Sequence, residues 1–132
     1  MFKITWDQVI EGAKELAKQY QGKKIWGVRR GGIIVVAIMA HHGCELAPVA
    51  AVADVIVDDI ADTGRTLAAV VLTTRQECGV LFKRSGCNYI PDYTVNIMYD
   101  KGYVLFPWEN EEEAKRIEAS GSFRSGDYEK SK

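Results

Sequence analysis

Apolar and polar positions along this chain follow two periods, and the change from one to the other falls at glycines. Between Trp6 and Tyr20 the apolar residues Trp6, Val9, Ile10, Ala13, Leu16, Ala17 and Tyr20 recur at the spacing of one helix face. Thr5 and Gln8 have the form of a capping box, and Ile4 can staple onto Val9, so a first helix is predicted from Trp6 to Tyr20. Ile25 to Val28 reads as a short strand that stops at Arg29-Arg30-Gly31-Gly32. The apolar run after it reads as a helix ended by Gly43, although its β-branched residues are weak helix formers.

Leu46 to Val57 is apolar almost throughout, with Pro48 near its start, as expected of one long strand buried on both faces of a parallel sheet. Two neighbouring parallel strands cannot be drawn from it, because a crossover needs a dozen or more residues. After Gly64, Arg65 to Cys78 reads as a helix closed by Gly79, and Val80 to Phe82 as a strand. Tyr93 to Tyr99 and Tyr103 to Phe106 read as a final pair of strands around Asp100-Lys101-Gly102. Strands alternating with helices predict an α/β fold, a doubly wound and mostly parallel sheet, over residues 1–109. Residues 110–132 are polar, with a short helix expected at Glu111 to Ala119 and a mobile Ser/Gly-rich end.

Composition narrows the classes. The 132 residues suit one domain, and 47% hydrophobic residues are enough for a core without disulfides or a structural metal. With 17 basic against 18 acidic residues there is no basic field to hold a phosphate backbone, so nucleic acid is not expected as a partner. No apolar run approaches the roughly 20 residues of a membrane span. The start "MFKITWD" lacks a signal peptide's apolar segment, so a cytoplasmic location is expected. Cys44, Cys78 and Cys87 fit no metal-binding spacing and are read as reduced thiols. His41 and His42 are placed at a helix end before Gly43 rather than on a metal.

The chemistry concentrates in "VIVDDIADTGRTL", Val55 to Leu67. Ligands of open parallel sheets bind beyond the carboxyl ends of the strands, which is where Asp58, Asp59 and Asp62 fall. The amides of Thr63 to Thr66 open the next helix and, with two threonine hydroxyls, suit a phosphate. Carboxylates repel a phosphate beside them, so they must face sugar hydroxyls, a Mg2+ bridge or a developing cation. A phosphorylated sugar meets that demand. The plainer alternative is a solvated acidic loop with Asp62 or Thr63 as helix cap, which does not account for two acids after an apolar strand. The spacing matches neither a P-loop nor an EF-hand.

This stretch resembles the 5-phosphoribosyl-1-pyrophosphate (PRPP) motif of type I phosphoribosyltransferases. "ITWDQV", "WGVRRGG" and "PDYTVNIMYDKGYVLFPWE" resemble the purine branch, the xanthine-guanine and hypoxanthine enzymes, so that the likeness covers most of residues 4 to 109. The resemblance implies that Asp58 and Asp59 hold the ribose hydroxyls and, with Mg2+, the metal. It implies that Ala61, Asp62, Thr63, Gly64, Arg65 and Thr66 enclose the 5-phosphate, with Asp62 the acid nearest the base nitrogen. Arg29, Arg30 and Gly31 correspond to the pyrophosphate loop, which often contains a non-proline cis peptide; Arg29 stands where Ser or Ala is more usual.

Lys83 matches the lysine that donates to the purine 6-oxo group, and Tyr103 the aromatic residue that stacks on the base. Read without the resemblance, Lys83 is an exposed loop lysine and Tyr103 a core residue. Trp108 is read as a wall or packing residue. The implied reaction is transfer of 5-phosphoribosyl from PRPP to a 6-oxopurine, with release of pyrophosphate and Asp62 accepting or relaying the base proton. The alternative is a non-catalytic PRPP- or nucleotide-binding regulatory protein. The long mobile loop of that family is absent, since only Ile33 to Val57 separate Gly32 from Asp58. Turnover is then expected to be slow, leaky or dependent on cover from a second subunit or the C-terminal tail. Dimers are common in the family, which leaves a homodimer open.

Overall fold

The computed structural model describes residues 1–120. The Ser/Gly-rich end expected to be mobile lies outside the described residues. β1 (Phe2–Lys3) leads into α1 (Trp6–Gln19), whose capping box forms as predicted. Thr5 Oγ1 accepts the Gln8 amide at 3.1 Å, and Gln8 Oε1 accepts the Thr5 amide at 2.8 Å. Val9, Ala13, Leu16 and Ala17 form the buried stripe that the periodicity required.

β2 (Lys24–Gly27), α2 (Gly31–Ala40), β3 (Glu45–Leu46), β4 (Val55–Ala61), α3 (Arg65–Thr74), β5 (Glu77–Arg84) and β6 (Tyr93–Met98) follow. They build a five-stranded sheet in the order β3-β2-β4-β5-β6, parallel at every pairing. α1 and α2 cover one face over a core that includes Val9, Leu16, Ile25, Met39 and Val57. α3 covers the other over Ile56, Leu67, Cys78 and Val80. Helices on both faces make the sheet doubly wound, as the alternation predicted. α2 forms despite its β-branched run because Val35, Val36 and Met39 are buried against that core. His41 caps it, with His42 just beyond.

Three expectations are corrected. Leu46 to Val57 is not one long strand: β3 ends at Leu46, a 3-10 turn occupies Ala50–Val52, and β4 starts at Val55. Leu46 and Val55 lie beside the same residue, Ile25, on opposite edges of β2. The chain therefore passes laterally across β2, with Ala47, Ala50 and Ala53 packed beside Trp26 and Val28 on the face that α3 covers, about 10 Å for two strand spacings, and needs no long crossover. The second correction concerns α3, which stops at Thr74 with Arg75 in the left-handed region (φ 59°), so Glu77 to Gly79 are strand and Gly79 closes nothing. Pairing of Val55 with Glu77 and Ile56 with Cys78 draws these residues into the sheet.

The third concerns the last strands. β7 (Val104–Leu105) does not pair with β6 but lies parallel to β1 in a separate two-stranded sheet. α4 (Glu111–Ala119) is capped by Asn110, whose Oδ1 accepts the Glu113 amide at 2.9 Å, and Ala114 seats it on the core. Among the described residues no helix is long and apolar enough to cross a membrane.

Candidate functional site

β4 is buried along its whole length and continues through the acids to Ala61 instead of ending before them. Asp58 and Asp59 are 2% and 1% exposed. Such burial of two adjacent carboxylates is costly unless hydrogen bonds hold them. Part of the compensation is local: Asp58 Oδ1 accepts the Asp59 amide at 2.8 Å, and Asp59 Oδ1 accepts the Ile60 amide at 2.7 Å. These bonds fix the direction of both side chains.

Asp59 turns its other oxygen to the loop after β2. The Arg29–Arg30 peptide in this loop is cis, and α2 opens immediately afterwards at Gly31. A Cβ on Gly31 would collide with Asp59 Oδ2. Glycine is therefore required there by the close approach of a carboxylate. The Val28 amide donates to the Val57 carbonyl at 2.8 Å, which ties the loop to β4 just before the acids.

Arg30, Gly31 and Asp59 line one side of a cleft of about 560 Å3, with Tyr103 and Trp108 beside them and Asn110, Glu113 and Ile117 of the α4 region opposite. Trp108 stacks on Phe106 with centroids 4.8 Å apart and tilts against Trp6 at 5.9 Å, which agrees with a wall and packing residue. Tyr103 is 5% exposed and belongs to the main core. Burial, and then the carboxylates Glu109 and Glu113, raise its pKa.

Asp62 sits on a second, smaller cleft of about 300 Å3 with Thr63, Arg84, Ser85, Tyr99, Asp100 and Lys101. Its Oδ1 is 3.2 Å from Arg84 Nε, and both side chains are buried. Gly64 takes φ 84° at the head of α3 and has Tyr89 and Cys87 against it, so a side chain there would meet both strain and collision. The Arg65 amide donates to Thr63 Oγ1 at 3.3 Å, and the first turn of α3 holds no acid. An acid-free helix start suits an anion.

The structure thus brings Arg30, Gly31, Asp59 and Tyr103 to one cleft and Asp62 and Thr63 to another. Arg29 faces a third, apolar groove with Trp26, Ile33 and Leu46. Lys83 lines neither of the two site clefts; its ammonium donates to the Arg84 carbonyl at 3.3 Å. Sequence reasoning places Arg84 at the mouth of the site with Arg29, Arg30 and Lys83 but gives it no task of its own. Nothing local marks it, because its partners lie far away in the chain.

For Mg2+, Asp58 and Asp59 are the candidate carboxylates. Among the described residues no cluster of three or more His, Cys, Asp or Glu side chains could cage a metal ion. Two fixed acids do fit an ion carried in on a ligand's phosphates, the usual manner for Mg2+.

No family model matches the chain. It is 27% identical to the xanthine-guanine phosphoribosyltransferase of Vibrio parahaemolyticus, over 82% of this chain and 88% of that one. The crystal structure of a purine phosphoribosyltransferase from Pyrococcus horikoshii superposes with a TM-score of 0.66 at 25% identity, covering 82% of this chain and 93% of the other. A Neisseria gonorrhoeae protein crystallised with ppGpp shares the fold at 16% identity, with a TM-score of 0.62 over 91% of this chain and 97% of its own.

Proposed function

We propose that this chain, a member of the type I purine phosphoribosyltransferase family, transfers 5-phosphoribosyl from PRPP to a 6-oxopurine and releases pyrophosphate. The observation that carries the reading is the approach of Asp59 to Gly31, which brings a buried carboxylate and the Arg30 loop to one cleft. A sugar with anionic groups on both sides needs that combination. Asp58 and Asp59 would accept hydrogen bonds from the ribose hydroxyls, and Arg30 with the loop amides would hold the leaving pyrophosphate. The Thr63 to Thr66 segment at the start of α3 would take the 5-phosphate.

Charge develops on the ribose as the bond to pyrophosphate breaks, and buried carboxylates near it would favour that state in a low-dielectric site. When bound, Mg2+ would be held by Asp58 and Asp59 and would supply further neutralisation of the pyrophosphate. Asp62 accepts or relays the base proton.

The placement of Lys83 and Tyr103 favours a second reading, a PRPP- or nucleotide-binding regulatory protein without turnover. Lys83 is bonded to a backbone carbonyl and Tyr103 is enclosed in the core, so neither offers itself openly to a purine. One assay separates the two. The protein is mixed with Mg2+, PRPP and each of guanine, xanthine, hypoxanthine and adenine, and pyrophosphate release is followed. Transfer predicts release with at least one 6-oxopurine, and Asp62→Asn should abolish it while sparing PRPP binding by calorimetry. Tight PRPP binding with no release for any base would establish the second reading.

A further inference from the structure

We infer that Arg84 is the positioning residue of the smaller cleft, joining Asp62 and the turn from Asp100 to Gly102 into one unit without itself contacting the purine. The guanidinium spends each of its three nitrogens on a different part of the chain. Nε donates to Asp62 Oδ1 at 3.2 Å, Nη1 to the Asp100 carbonyl, and Nη2 to the Gly102 carbonyl at 2.8 Å. The first acceptor follows β4 and the other two lie between β6 and β7, so one side chain at the end of β5 fastens the walls of the cleft.

Two further bonds complete the frame. The Ser85 amide donates to the Met98 carbonyl at 2.9 Å, and Asp100 Oδ1 accepts the Gly102 amide at 2.6 Å. Lysine cannot reproduce this arrangement, since a single ammonium lacks the planar fork that reaches a carboxylate on one side and two carbonyls on the other. Lys83, next along the strand, projects to the opposite face and bonds only the Arg84 carbonyl among the described residues. The direction in which Asp62 presents its carboxylate is therefore set by a residue that no local motif reveals. Removing the guanidinium would leave that carboxylate buried without its charged partner and release the turn.

In its kinetic arm the inference rests on phosphoribosyl transfer; its structural arm does not. The structural arm measures hydrogen exchange of ligand-free protein at the amides of Tyr99 to Gly102. Arg84→Met and Arg84→Lys should both speed exchange there. Asp62→Asn should do so in the wild-type background and add nothing in the Arg84→Met background, because the coupling runs through the guanidinium. If Arg84→Met does not fold, Arg84→Lys takes its place in that comparison.

In the kinetic arm, Arg84→Lys lowers kcat by ~100-fold, the cost of displacing a reacting group by about 1 Å, while KM for PRPP stays unchanged. Unchanged exchange at Tyr99 to Gly102 in the Arg84 variants overturns the inference, as does an unchanged kcat with the effect confined to KM. If wild-type protein turns over no base, the transfer reading fails by itself and the exchange measurements still decide the role of Arg84.

Discussion

At the scale of single residues, the acids could be read in advance and their partners could not. Asp58, Asp59 and Asp62 stand out because carboxylates are rare beside a buried strand, whereas the meeting of Asp59 with Gly31 joins two segments folded together by β2 and β4. That contact makes Gly31→Ala a sharp probe. The new methyl would occupy the place of Asp59 Oδ2, and overpacking of this kind costs about 1–3 kcal/mol. A loss of unfolding free energy of that size, read from a lowered urea midpoint at unchanged slope, together with loss of PRPP binding, is the expected outcome; an unchanged midpoint would show that Asp59 can move aside freely. Cys78 offers a pH probe at the same scale. Burial, followed by the neighbouring charge of Asp58, pushes its thiol from 9.0 up to about 12. A thiol whose folded value is raised favours the fold in its neutral form, so this contribution is intact below pH 9.0 and is lost as pH climbs towards about 12. The stability of wild-type protein, followed by denaturant titration, should therefore decline more steeply over that alkaline window than that of Cys78→Ala.

At the scale of elements, local signals were reliable where the element's reasons are local. α1 carries its own cap and its own stripe, and it begins where the sequence places it. Thr5→Ala removes the hydroxyl that accepts the Gln8 amide and should cost about 1 kcal/mol, measured as a shift of the urea midpoint with unchanged slope. The end of α3 has no such local signal. Thr73 and Thr74 return their hydroxyls to the Ala69 and Val70 carbonyls, which is compatible with continued helix. The helix stops because the next residues are claimed elsewhere. The Gln76 side chain donates to the Ala50 and Ala51 carbonyls, and Glu77 and Cys78 pair with β4. β3 was hidden for a related reason: two residues pairing only with Lys24 and Ile25 leave no period to detect. Tertiary pairing decided both boundaries, and no window of sequence contains the partner strand.

For the whole molecule, the order β3-β2-β4-β5-β6 puts β4 in the middle, so the acids at its carboxyl end are flanked by the loop after β2 and the end of β5. The fold class was legible because strands and helices alternate along the chain, while the strand order was not. Nor was the cover over the site. The segment from Cys44 to Asp54 is taken up by β3, the 3-10 turn and the passage across β2, where Ala47, Ala50 and Ala53 pack with Trp26 and Val28, so it is not spare chain that could close over a ligand. What stands beside the Asp59 cleft instead is α4, held by its Asn110 cap, by Ala114 in the core and by Lys3 Nζ 3.1 Å from Glu111 Oε2. A helix fastened in this way walls one side, and among the described residues nothing closes over the mouth. Since water competes with the base for a ribosyl cation, a site without a closing lid should lose part of its PRPP to hydrolysis. With Mg2+, PRPP and a 6-oxopurine present, ribose 5-phosphate should therefore accumulate alongside the nucleotide, and its share should rise as the base is diluted. Nucleotide formed in strict proportion to PRPP consumed, at every base concentration, would mean that the cleft excludes water without a lid.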